Sequence, residues 1–214
     1  MALVLGTNCG FVTTAPTADP TGQAQYTIDN SGRAVKVVTT DAITITEIGW
    51  YCPVATEESN YEVGIYSDKS TPSVPETLLE VSRTNAKGTD AGWKVVTGLN
   101  WALAASTSYW LAVQVDNTAT TTTIDNQQNL SDSYIISQDT SLSTLPDTWV
   151  AASAYTKELL AIYAFYEAPA GTNMQVNIDD TMKDVSDDIV NIDDAWKTIN
   201  SAIVNVDDNW KTIF

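Results

Sequence analysis

The residues of this chain that could do acid–base or metal chemistry are adjacent carboxylates: Glu57-Glu58, Asp179-Asp180, Asp193-Asp194 and Asp207-Asp208. Two carboxylates flanking a glycosidic bond can act as general acid and base. Neighbours in an extended chain point apart. The pair Glu57-Glu58 sits in Thr56-Glu-Glu-Ser-Asn60, where no apolar run offers a pocket, so a solvated loop is expected. Calcium takes oxygen ligands from loops, and Asp116, Asp125 and the three Asp pairs are of the right type. Neither EF-hand spacing nor an Asp-rich nonapeptide occurs, so turn formation is their expected role and no metal or cofactor is expected. The chain has no His. That removes His-based triads, histidine metal sites and histidine pH switches in one step. With GxSxG, P-loop and GxGxxG motifs also missing, a non-enzymatic protein is expected.

Seven tryptophans offer a different chemistry, because a flat apolar ring stacks on the C–H face of a sugar. Trp50, Trp93, Trp101, Trp110 and Trp149 are the candidates. Trp50 and Trp110 lie inside strand-like runs, where packing between two sheets is expected. Trp101 and Trp149 follow loops and are the residues expected to bind a glycan, if one is bound. Cys9 and Cys52 have neither metal-knuckle nor CxxC spacing. A bridge is open to them if their strands lie side by side; buried free thiols are the expectation.

Ten basic residues against 27 acidic ones give a net charge of −17, which repels phosphate backbones and anionic headgroups. Nucleic acid and membrane surfaces are therefore not expected partners. With 214 residues, 43% of them apolar, the chain can hold one domain with a real core plus an appendage. Met1-Ala-Leu-Val-Leu-Gly6 lacks a basic n-region, and no later run reaches 18 apolar residues, so neither an export signal nor a membrane span is expected. An extracellular location is expected through release by lysis or carriage on a particle.

Strand-like runs rich in Val, Ile, Thr, Tyr and Trp must position these residues: 34–40, 42–52, 60–67, 78–83, 93–99, 108–116, 134–137 and 159–167. Turn clusters such as Asp29-Asn-Ser-Gly32 and Lys87-Gly-Thr-Asp90 separate them, which predicts an antiparallel sandwich or barrel. Tyr61, Val63 and Ile65 are expected on one face, as are Tyr109, Leu111, Val113 and Val115. The apolar set changes parity between Ile45 and Ile48, predicting a bulge near Thr46 and Glu47. Thr118 to Asn129 reads as a long exposed loop or weak edge strand. Pro169 and Gly171 mark a linker over 169–173, between a domain at 1–168 and repeats at 174–214.

Those repeats have a period of 14 residues, set by Asn177, Asn191 and Asn205. A unit this short must stack on others. As helix, Ile178, Met182, Val185, Ile189, Ile192 and Trp196 follow a heptad and would form a short coiled coil. As sheet, each unit is a hairpin with loop Asp193-Asp194-Ala195, pairing Ile192 with Trp196 and Val190 with Thr198 on one face. Composition favours hairpins, since Val, Ile, Asn, Asp, Thr and Trp dominate and Leu and Glu are missing. Ile178, Ile192, Trp196, Val206 and Trp210 are expected to be buried between copies, in a homotrimer or a polymer.

The motif Val-Asn-Ile-Asp-Asp-x-Trp-Lys-Thr-Ile, ending at Trp210-Lys-Thr-Ile-Phe214, resembles the terminal repeats of phage virion proteins, particularly head and tail fibres. In those a Gly often stands where this chain has Asp193 or Asp194. A second resemblance lies in Ile48-Gly-Trp-Tyr51, Tyr61-Glu-Val-Gly-Ile-Tyr-Ser67, Pro75-Glu-Thr-Leu-Leu79, Gly92-Trp-Lys-Val-Val96 and Ala105-Ser-Thr-Ser-Tyr-Trp-Leu-Ala-Val113. These look like jelly-roll modules of secreted and phage surface proteins. Together the resemblances imply an all-β chain, a jelly-roll β-sandwich followed by hairpin repeats. They also imply a virion location as fibre or decoration protein, with itself, other virion proteins and host surface glycans as partners. A stand-alone carbohydrate-binding module and an extracellular filament subunit are the alternatives.

Overall fold

A computed structural model describes residues 1–20, 24–54, 57–116, 118–119, 121–150 and 153–167, together with the backbone of six strands between Met174 and Thr212. The chain divides into two compact units, Met1–Glu167 and Ala168–Phe214. Among the described residues the fold is all-β, without a helix. The first unit contains β1 (Gly10–Val12), β2 (Ala24–Thr27), β3 (Ser31–Val38), β4 (Ile43–Cys52), β5 (Asn60–Asp68), β6 (Pro75–Ala86) and β7 (Gly92–Leu103). It continues with β8 (Ser108–Val115), β9 (Thr123–Gln127), β10 (Ile135–Thr140), β11 (Ser153–Thr156), β12 (Leu159–Leu160) and β13 (Ile162–Tyr166).

These strands form a four-stranded sheet, β1-β13-β4-β7, a six-stranded sheet, β11-β10-β3-β8-β5-β6, and a three-stranded sheet, β12-β9-β2. Neighbours run antiparallel except β1 and β13, which are parallel. Period-two alternation builds the core as expected. Tyr61, Val63 and Ile65 of β5 and Tyr109, Leu111, Val113 and Val115 of β8 join Ile48 and Trp50 of β4 and Ile162 of β13 in one buried cluster. The four- and six-stranded sheets therefore share a core, and Trp50 meets Tyr61 edge to face at 5.6 Å and 72°. The register of β4 against β7 shifts between Ile45 and Glu47, where the bulge was expected. It lets Ile43, Ile45, Ile48, Trp50 and Cys52 all enter the core despite their change of parity. Cys9 and Cys52 are free and buried in the same cluster, and burial pushes the Cys9 thiol up to about 12, which keeps it protonated.

A strap over residues 141–150 covers the other face of the six-stranded sheet. Leu145 and Trp149 pack there with Ala34, Tyr66, Trp110 and Ala112. Trp149 lies over Gly32, where a Cβ would come within 3.0 Å of its ring, so glycine makes room for the indole. Polar groups tie the strap down: Leu145 N donates to Glu62 Oε2 at 2.8 Å, Tyr66 OH to the Pro146 carbonyl at 2.8 Å, and Trp149 N to the Glu76 carbonyl at 2.9 Å. Arg83 completes the set with a charge-assisted bond to Glu62.

The segment from Thr118 to Asn129 is not an exposed loop or edge. Its residues 123–127 form β9, the middle strand of the three-stranded sheet, with Ile124, Asp125 and Asn126 buried. Tertiary packing overrides the turn-like composition of that stretch.

The second unit contains β14 (Met174–Ile178), β15 (Thr181–Val185), β16 (Ile189–Ile192), β17 (Ala195–Thr198), β18 (Ile203–Val206) and β19 (Asn209–Thr212). They pair antiparallel as β14-β15, β16-β17 and β18-β19, so each 14-residue unit is a strand pair and not a helical segment. The expected register is off by one residue. Ile192 pairs with Ala195, and Trp196 pairs with Asn191. Only Asp193 and Asp194 separate β16 from β17, and a two-residue connection is the length antiparallel strands favour. The three Asp-Asp pairs themselves lie outside the described residues.

Candidate functional site

The two tryptophans singled out for glycan stacking are both enclosed. Trp101 is 7% exposed, paired with Ile45 in the main core, and Trp149 is 6% exposed, turned from the strap onto the six-stranded sheet and edge to face with Tyr66 at 5.1 Å. Neither presents a ring face to solvent, because each fills a gap between layers that a loop-flanked position in the sequence does not reveal. Trp50 and Trp110 are fully buried.

Partial exposure falls instead to Trp93, on the outer face of the four-stranded sheet. Residue pairing sets Trp93 opposite Tyr51 and Tyr163 opposite Gly49. The three rings form a contiguous row, Tyr51 to Trp93 at 5.5 Å and Trp93 to Tyr163 at 5.2 Å, both edge to face. Gly49 permits it, since a Cβ there would come within 2.4 Å of the Tyr163 ring. Trp93 Nε1 donates to the Ala18 carbonyl at 3.2 Å, and Tyr163 OH to Glu47. Burial and the Glu47 carboxylate push the Tyr163 phenol well above its ordinary range. Within the row Trp93 alone is partly exposed, because Tyr51 and Tyr163 are buried, so the three rings form a packed aromatic layer and not an open platform. The sequence signal was a glycine inside a strand, Ile48-Gly-Trp-Tyr51, which often marks the close approach of another group.

The carboxylates do not converge as an acid–base pair. Glu57 accepts from Ala119 N at 2.8 Å and Glu58 from Gly88 N at 2.9 Å, so the two bind different loops. Among the described residues no group of three or more His, Cys, Asp or Glu side chains is placed to hold a metal ion.

One carboxylate is tuned by its neighbours. Asp68 accepts from Lys36 Nζ and Trp110 Nε1, each at 2.8 Å, and from Ser73 Oγ at 3.1 Å. Burial alone would raise its pKa, but the bonds from Lys36, Trp110 and Ser73 outweigh it and hold the carboxyl below its usual value. The unfolded chain therefore takes up this proton first. The stabilisation is complete above the unfolded pKa, about 4, and is lost as pH falls through the lower folded value. Asp68→Asn is expected to cost about 1–3 kcal/mol at neutral pH and to flatten the acid limb of a stability–pH curve; an unchanged limb would show that Asp68 is not a source of it.

The repeats form the other candidate surface. By register, Val190, Ile192, Ala195 and Lys197 occupy one face of the β16-β17 ribbon, and Ile189, Asn191, Trp196 and Thr198 the opposite face. Val204, Val206, Asn209 and Lys211 match the first set in β18-β19, and Ile203, Asn205, Trp210 and Thr212 the second. Ile178 holds the aliphatic position in β14. The five residues expected to mediate assembly thus divide between two faces: Ile178, Ile192 and Val206 on one, Trp196 and Trp210 on the other. The chain as a whole matches no protein-family model, no curated protein and no solved structure.

Proposed function

We propose that this chain is a non-enzymatic structural protein of a phage virion, a head or tail fibre or decoration protein. The second unit self-associates into a closed trimer, and the first is displayed on it as a jelly-roll β-sandwich. One observation carries the assembly: three successive two-stranded ribbons with the same register, each bearing large apolar residues on both faces. A lone hairpin is marginal in water, and two apolar-bearing faces call for cover on both sides. Other copies of the chain, with matching faces at the same 14-residue spacing, supply it.

The jelly-roll assignment is supported by the order of strands. Eight of them divide as β1-β13-β4-β7 and β3-β8-β5-β6, with the chain passing repeatedly between sheets and late strands inserted between early ones, as in two interlocked Greek keys. The parallel pairing of β1 with β13 is a departure from the all-antiparallel form. The resemblance of the C-terminal motif to virion repeats supports the setting. Other virion proteins are the proposed neighbours and host surface glycans the proposed external contact, and the net charge of −17 argues against nucleic acid and anionic membranes. Sedimentation equilibrium of the full chain is expected to give a single species of three subunits; a monomer at all concentrations would overturn the proposal.

A further inference from the structure

Most cations at the interior edges of the first unit have partners. Arg83 bonds Glu62, Lys36 bonds Asp68, and Lys87 donates to the carbonyls of Glu57 and Gly88. Arg33 does not. It is 5% exposed, yet its Nε and Nη1 have no hydrogen-bond partner and it forms no salt bridge. Its Cζ lies 4.1 Å from the centroid of the Tyr26 ring, which supports the charge but leaves the N–H groups in the ring plane of the guanidinium unfilled. The Tyr26 hydroxyl is already committed, donating to Glu158 at 2.6 Å and accepting from Gln128 Nε2 at 3.0 Å.

A second unfilled group lies close by in register. Asn126 is fully buried with neither Nδ2 nor Oδ1 partnered. It pairs with Ala24 while Tyr26 pairs with Ile124, so Asn126 and Tyr26 are diagonal neighbours on one face of the three-stranded sheet. At the edge of the six-stranded sheet, Tyr155 of β11 is 38% exposed, its ring 6.4 Å from that of Tyr26. Buried polar groups are almost always satisfied, and buried donors and acceptors left unfilled are costly. Two such groups neighbouring one tyrosine, with an exposed ring beside it, have the makings of a site whose ligand completes them.

We infer that Arg33, Asn126 and Tyr155 form a binding site for an acidic sugar of the uronate class. Arg33 Nε and Nη1 present a fork that matches the two oxygens of a carboxylate. Tyr155 offers a flat apolar face to the pyranose ring, and Asn126 a donor and an acceptor to its hydroxyls. Entry requires the Tyr155 ring to move aside from the sheet edge. The overall charge of −17 disfavours polyphosphates and other dense anions, and Glu158, which accepts from the Tyr26 hydroxyl, opposes the ligand's charge. The inference deepens the display part of the proposed function and is independent of the trimer.

Calorimetric titration of the full-length protein with trigalacturonate, beside neutral trigalactose and acetate, tests it. Trigalacturonate is expected to bind once per chain, at least about tenfold more tightly than either control, and more weakly as salt rises. Arg33→Met is expected to weaken binding by about thirtyfold or more while leaving the melting temperature unchanged or raised, because two unfilled buried donors give way to an apolar chain. Tyr155→Ala weakens it about fivefold, and Glu158→Gln tightens it. Equal binding of trigalactose or acetate, no binding of trigalacturonate, or an Arg33→Met protein that melts lower and binds as before would each overturn the assignment. A monomeric chain that passes this titration would sink the stem and spare the site; a trimer that fails it would do the reverse.

Discussion

Replacing Trp50 by Ala is expected to remove about 4 kcal/mol from the stability of the first unit, the largest loss any single substitution there should cause. Trp50 is fully buried between the two larger sheets and meets Tyr61 edge to face. Its loss leaves a hole that rigid strands on both sides cannot close. Domains of this size hold about 5–15 kcal/mol in total, so the variant should melt roughly 8–16 °C lower, as read by circular dichroism. Trp50→Phe keeps the aromatic contact and should cost less than half as much. A loss under about 1 kcal/mol for the Ala variant would mean that the sheets do not share this core.

The second large effect is expected in the repeats. Trp196→Ala with Trp210→Ala strips one face of two ribbons, and Val190→Thr with Val204→Thr places hydroxyls on the other while keeping shape and β propensity. Both double variants should dissociate the assembly. Each truncated Trp costs about 3–5 kcal/mol, and each buried unpaired hydroxyl about 1–3 kcal/mol, in every copy of the chain. Sedimentation equilibrium would report the loss as a fall of several orders of magnitude in association constant for the Trp pair and at least about tenfold for the Val pair. Had Ile192 paired with Trp196, Val190 and Trp196 would share one face and both double variants would strip the same surface. An unchanged mass and affinity for the Val190→Thr, Val204→Thr protein would contradict the two-sided packing.

That one-residue difference shows where the sequence was legible and where it was not. Alternation in β5 and β8 and the change of parity in β4 are local signals, and the core follows them residue by residue. The pairing of the repeat strands depends on whether Ala195 belongs to the loop or the strand. Asp-Asp with a small residue after it fits both lengths, so composition alone could not decide. Strand β9 was hidden for another reason. Thr123-Ile-Asp-Asn-Gln127 has turn chemistry, and only the layers packed around it make a strand of it. The exposure of Trp149 was likewise unreadable, since the strap that carries it and the glycine it covers are over a hundred residues apart in the chain. Arg33 and Asn126 gave no sequence signal at all, because an unsatisfied donor is a property of neighbours and not of the residue.

Assembly of the chain is proposed to rest on the repeats alone. It is tested most directly by the native mass of the full-length protein beside a chain ending at Glu167, both by light scattering after size exclusion. The first unit has its own core and should fold without the second. The full chain should run at about three times its 23.1 kDa and the shortened one as a monomer. A full-length monomer, or a shortened chain that remains a trimer, would contradict the account.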